Sequence, residues 1–341
     1  MTNRSRNLII VSYLIQGGGS MPAPASHYIF AKSVEDKIQA LDADFCFSKS
    51  AFYYGTQGPD FLFSHKVWRM AWNGENLVEL GSVLHHVCPS KLFALMKDYL
   101  ENEPCDRDLV KSYIYGFLAH YALDRKAHPL IYAIQKELTK AKGLEDFRPL
   151  VVHNQIELNI DAMLIKSELG YDKATDFKFY KVLDHNPYII DEMASLMEYV
   201  VPRLVFCDAG KEDFADAYRN MRMCQVALAD FTGFRRRLVK LIEKPLSAPL
   251  GGPLLSSLMR QPQSDSEWDY MNITHKEWAL VFDSRIKSTK SFMDLFRDAQ
   301  EDIFGLIEAF SKENAEEAIS EYSGDISFDD GVRYDIREPI A

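Results

Sequence analysis

Two short patterns, His120-x3-Asp124-x3-His128 and His153-x3-Glu157, place five metal-ligating side chains within 38 residues. Residues four apart on a helix lie about 40° apart around its axis, so each pattern aims its imidazoles and carboxylates in one direction. Mixed imidazole and carboxylate ligation suits zinc and similar divalent ions, and metal-dependent hydrolysis is the chemistry to expect. Either pattern alone is weak. Nine His and fifty Asp or Glu among 341 residues yield about one or two such pairs by accident, so a single match is only a hypothesis. Position adds weight. Seven His (27, 65, 85, 86, 120, 128 and 153) fall in the first 153 residues, several on strongly apolar segments. Buried unpaired imidazoles and carboxylates are costly, and a shared metal removes that cost.

The elements that must position these residues read as helices. Apolar residues recur at three- and four-residue spacing over 34–41, 77–100, 109–127, 130–141, 147–169, 189–205, 212–242 and 286–310, the signature of amphipathic helix. Proline and glycine fall mainly between these segments. No alternating β-type run of convincing length occurs, and the expected fold is all-α, a single multi-helix domain with the metal site between helices. Residues 244–272 form a long irregular stretch rich in proline and glycine, and loops of this length are uncommon unless functional or disordered. The predicted organisation is an N-terminal extension over 1–20, a helical domain over 21–313 and an acidic flexible tail over 314–341.

Composition narrows the function classes. Hydrophobic content of 47% with 26% charged residues is that of an ordinary globular chain. A net charge of −11 argues against a protein that grips nucleic acid through a basic surface. It leaves a phosphate-ester substrate open, because bound divalent ions reverse the local sign. Five scattered cysteines without a CxxC pair are not a disulfide framework, and they favour a reducing, cytoplasmic setting. Two alternatives attach to the start of the chain. Met21 is a second candidate start, and residues 1–25 would make the protein secreted if they acted as a signal peptide.

Five stretches, in order, resemble the zinc-dependent phospholipase C family, which shares a helical superfamily with the fungal single-strand-specific nucleases. They are Met21-Pro-Ala-Pro-Ala-Ser-His27-Tyr, Tyr54-Gly-Thr-Gln-Gly-Pro-Asp60-Phe-Leu-Phe, Gly81-Ser-Val-Leu-His85-His86, and the two helical patterns above. The resemblance covers roughly residues 21–165 and implies two or three zinc ions held between helices. It implies His27 at the N-terminal edge of the site and Asp60 from a Gly-Pro-Asp loop. One of His85 and His86 would follow; His85 is preferred, since neighbouring helical residues point about 100° apart. His120, Asp124, His128, His153 and Glu157 would complete the set, with a carboxylate bridging two metals. The chain departs from the family's secreted members in two ways. Asp124 to His128 is two residues shorter, so His128 must reach from a continued helix, and His27 lies inside the chain rather than at its N-terminus.

The activity this resemblance implies is phosphodiester hydrolysis, with a metal-activated water attacking the phosphorus of a phospholipid-like or small phosphodiester substrate. Asp60 would orient or deprotonate that water, and Asp161, one turn beyond Glu157, would support an imidazole. Peripheral membrane contact fits such a substrate. A nuclease of the same superfamily is the nearest alternative, and a non-catalytic zinc-binding scaffold is the alternative from another class. His65, His185 and His275 read as structural or surface residues. Arg235-Arg236-Arg237 reads as a solvated helix face with some scope for touching anionic lipid.

Overall fold

Prolines, glycines and short polar caps set the helix limits. The computed structural model describes residues 24–41, 45–66, 77–230, 232–245, 251–253, 255–265 and 267–334. In chain order the helices are α1 (Pro24–Gln39), α2 (Lys49–Gly55), α3 (Val78–Leu84), α4 (Pro89–Asn102), α5 (Arg107–Lys142), α6 (Pro149–Leu169), α7 (Pro187–Leu204), α8 (Lys211–Leu228), α9 (Phe234–Glu243), α10 (Phe292–Ser311) and α11 (Ala315–Ser323). Short 3-10 turns, Gly58–Ser64 and Ser256–Leu258 among them, link these helices. Among the described residues the only sheet is a two-residue antiparallel pair, β1 (Trp278–Ala279) with β2 (Lys287–Ser288). The all-α expectation holds.

Helix α5 is the axis of the fold. Asp106 caps it by accepting from the Leu109 N–H, and Gly143 closes it in the left-handed conformation, the residue best suited to that backbone. It packs against α1, α2, α4, α6, α7 and α10, which is why it is buried all round from Tyr113 to Arg125. Its closest approach is to α2, where a Cβ on Gly116 would lie 2.1 Å from the Phe52 carbonyl oxygen. Only glycine allows that crossing.

Some boundaries differ from expectation. The segments 109–127 and 130–141 are one helix, with Pro129 inside it. Proline removes one ladder hydrogen bond, but here tertiary packing on both sides of the kink-prone position holds the helix through. The 77–100 segment is broken ahead of Pro89, and the 212–242 segment is broken at Gly233, whose φ of +73 leaves the helical region.

The largest difference is at the C-terminal end. Residues from 314 onward were expected to form an acidic flexible tail. Instead α11 packs against α4 and α10, and the segment after it carries a fully buried Phe328. Ala315, Ala318 and Ile319 supply a small apolar stripe, enough to fasten a short helix whose other face is acidic. The supposed extension over residues 1–20 and the last seven residues lie outside the described residues. No helix among the described residues is long and apolar enough to cross a membrane.

Candidate metal centre

Five segments deliver the expected ligands to one place. His27 comes from α1, Asp60 from the 3-10 turn Gly58–Ser64, and His85 caps the C-terminus of α3. His120, Asp124 and His128 lie along one face of α5, and His153 and Glu157 along α6. None of the eight is more than 9% exposed. The local geometry has sequence causes. Gly58 has φ +48, and a Cβ there would lie 2.2 Å from the His120 ring, so glycine serves both the turn and the close approach. The N-terminus of α1 is capped from α6. Asp161, fully buried, accepts from the Ala25 and Ser26 amides at 3.0 and 2.7 Å and from the Ser26 hydroxyl, which anchors the turn that carries His27.

The ligand atoms form three linked triads. Asp60, His85 and His120 make one; His27, His120 and Asp124 a second; His128, His153 and Glu157 a third. Within each triad the atoms lie within 4.8 Å of one another. Asp60 Oδ1 is 3.0 Å from His85 Nε2, and Asp124 Oδ2 is 2.8 Å from His120 Nε2. His27 Nε2 lies 3.3 Å from Asp124 Oδ1, and Glu157 Oε1 lies 3.1 Å from His153 Nε2 and 3.6 Å from His128 Nε2.

The far side of each ring decides which nitrogen can ligate. His85 Nδ1 donates to the Gly81 carbonyl at 2.8 Å, His120 Nδ1 to Thr56 at 3.2 Å, and His128 Nδ1 to Phe328 at 3.0 Å. His153 Nδ1 donates to the Gln135 amide oxygen at 3.0 Å. A carbonyl only accepts, so the proton sits on Nδ1 and Nε2 is presented inward. Such carbonyl tethers are typical of metal-ligating histidines.

Two observations of the cluster fit a cation. His120 Nε2 is buried without a hydrogen bond despite its closeness to Asp124, and His27 Nδ1 is likewise unpartnered. Buried polar atoms rarely stay unpaired unless something else satisfies them. A cavity of about 20 Å³ opens beside His27, Asp124, His128 and Glu157, room for one water or one ion. These buried His, Asp and Glu groups could hold metal ions, and eight donors exceed the four that a single closed tetrahedral site uses.

The charges interlock. Burial, with His120 stacked at a ring separation of 4.3 Å, lowers His27 to about 4 and keeps it neutral. Burial alone would lower His85 and His128 too. Asp60 reverses this for His85, raising it to about 9, and Asp124, Glu157 and Asp329 raise His128 to about 10. Asp124 and Glu157 are held below the usual carboxylate range despite burial, because imidazoles surround them.

Several assignments need refinement. Of the adjacent pair, His85 faces the cluster, while His86 turns to Asp329, 3.3 Å from its Oδ2. Asp161 supports the site through the α1 backbone rather than through an imidazole. Sequence reasoning missed Asp329, which accepts from the Tyr132 hydroxyl and lies 3.8 Å from His128 Nδ1. It also missed Gln135, one turn beyond Ile131 on α5. An Asp329-Asp330-Gly331 turn directly after an aromatic residue was the one available signal, and the acidic composition around it masked it. No family model matches this chain, and comparisons with curated proteins and with solved structures also return no match.

Proposed function

We propose that the protein is a zinc-dependent phosphodiester hydrolase acting on a phospholipid-like or other small phosphodiester. The observation that carries this reading is the common orientation of the imidazoles. Four carbonyl tethers turn four Nε2 atoms toward buried carboxylates, an arrangement suited to more than one cation. His27, Asp60, His85, His120, Asp124, His128, His153 and Glu157 would hold two or three zinc ions. Bound zinc would supply Lewis-acid polarisation of a phosphoryl oxygen and make a water acidic near neutral pH.

The chain's own contribution is positioning and proton handling. Asp60 meets His85 through Oδ1 and would orient or deprotonate an attacking water. Asp124 touches His27, His120 and His128 and would help to hold metal among these three imidazoles. Neutral His27 keeps a lone pair for ligation.

A second reading, a closed zinc-binding scaffold without turnover, is favoured by the size of the cavity, which admits a water but no phosphodiester. Metal analysis joined to turnover separates the two. The purified protein is expected to carry two or three zinc equivalents and to hydrolyse a generic phosphodiester. His120→Ala, which strikes two triads, should remove at least one equivalent and abolish turnover. Unchanged metal content in that variant overturns the centre itself. Bound zinc with no hydrolysis of lipid, nucleotide or generic esters leaves the scaffold reading.

A further inference from the structure

Helix α9 is inside out. Its docked face is polar: Arg236 Nε donates to the Ser256 and Met259 carbonyls at 3.3 and 3.1 Å, and Glu243 accepts from the Leu255 and Ser256 amides. Its solvent face is apolar. Phe234, Leu238, Leu241 and Ile242 are 67%, 46%, 68% and 61% exposed. At about 100° per residue these four share an arc about 100° wide, the width of a stripe that normally faces a core. Nothing among the described residues covers it.

Cations border that arc. Arg237, Lys240 and Lys244 lie along one margin and are exposed. Arg235 lies on the other, its guanidinium donating to the Ala227 and Ala229 carbonyls at the end of α8. The one acid in the helix, Glu243, is turned inward. A basic helix with an exposed apolar stripe, on a chain of net charge −11, is a local charge reversal rather than a property of the whole surface.

We infer that α9 is a membrane-contacting helix that lays Phe234, Leu238, Leu241 and Ile242 into the headgroup and acyl boundary of an anionic lipid surface. The combination of features selects this occupant. An anionic bilayer offers apolar depth to the stripe and negative charge to both margins at once. A nucleic acid would use the cations and leave four large apolar side chains in water. A second copy packed on the same face would bring two cationic margins together. The turn Ser256–Leu258 packs on both α9 and α6, the helix that carries His153 and Glu157. Arg260, just beyond that turn, approaches Asp161 at 3.8 Å.

The inference goes beyond the proposed hydrolysis and does not depend on it, and its test reads binding alone. The full-length protein is sedimented with vesicles of phosphatidylcholine, and with vesicles in which about a third of the lipid is phosphatidylserine. Binding to the anionic vesicles is expected to be at least about tenfold stronger and to weaken with salt. The double variant Leu241→Glu/Ile242→Glu should lose binding to both vesicle types. Arg237→Glu/Lys240→Glu should lose the preference for phosphatidylserine while keeping the wild-type melting temperature and helical content. Absence of vesicle binding by the wild type overturns the inference. So does a dimer in sedimentation equilibrium that Leu241→Glu/Ile242→Glu dissociates, or binding of an oligonucleotide that Arg237→Glu/Lys240→Glu abolishes.

Discussion

At one end of the candidate metal centre, His85 and His120 are tethered by the carbonyls of Gly81 and Thr56, four and 64 residues away. At the other end, His128 is tethered by Phe328, 200 residues away, and is flanked by Asp329. The first end is assembled by α2 and the Gly58–Ser64 turn, which pack on α5, and by α3, which packs on that turn. The second is completed by a segment that crosses the site from the far end of the chain. Phe328 joins the two. Its carbonyl serves His128, while its ring lies 6.1 Å from both His85 and His120 and 4.6 Å from Tyr121. The lesson is that one site can combine a preassembled half with a half that depends on a late tertiary contact.

The strongest way to test this contrast is Phe328→Ala. Removing a fully buried ring of this size costs about 3–5 kcal/mol, and chemical denaturation should register a loss of that order. Because the backbone carbonyl remains, the protein that stays folded should still bind metal at His128, His153 and Glu157. A cost of about 0.5 kcal/mol or less, the size of a surface substitution, would mean that the segment is only loosely attached.

A smaller and more selective effect is expected for Asp329→Asn. Loss of a carboxylate that orients a ligand weakens metal affinity by about 10–100-fold. Competitive metal titration should show this loss for one class of site and leave the Asp60, His85 and His120 class unchanged. Equal weakening of all sites would erase the distinction between the two ends.

The mildest effect is protonic, and here the ends should behave alike. His85 at about 9 and His128 at about 10 are both raised in the metal-free protein. Their contribution to its stability is therefore fully present below their ordinary pKa and is lost as pH rises through those values. His27, lowered to about 4, acts in the opposite direction, and its contribution is lost as pH falls from its ordinary value toward 4. Metal-free stability should therefore peak between these limits. Metal loading at pH 7 should release about one proton from each end, since ligation needs neutral imidazole. Calorimetry in two buffers of different ionisation enthalpy checks this, and zero release would contradict the charged state of both histidines.

Much of this candidate centre was legible in the sequence because its residues obey helical spacing. Asp124 and His128 face one way because they are four apart on α5, and His153 and Glu157 do so on α6 for the same reason. His27, Asp60 and His85 were harder, since nothing periodic links them, and they were reached through the order of stretches in a resembling family. The tethers were invisible. Gly81, Thr56 and Phe328 act through backbone carbonyls, which carry no residue-type signal. The closing segment was misread because Asp, Glu, Ser and Gly dominate its composition, while a few buried side chains, Ile319 and Phe328 foremost, decide its fate. Helix α9 was legible only in part: its arginines read as a solvated face, but Arg236 turns inward and the apolar residues turn outward. Its periodicity was plain, but periodicity does not say which face turns inward.

The 200-residue reach from His128 to Phe328 also has a meaning in time. A ribosome adds about 5–20 residues per second, so the interval between making His128 and making its tether is on the order of 10–40 s. During that interval the residues whose carbonyls tether His85 and His120 have been made, whereas the one that tethers His128 has not. The direction of synthesis therefore supplies the tether of the His128 end of the candidate centre last.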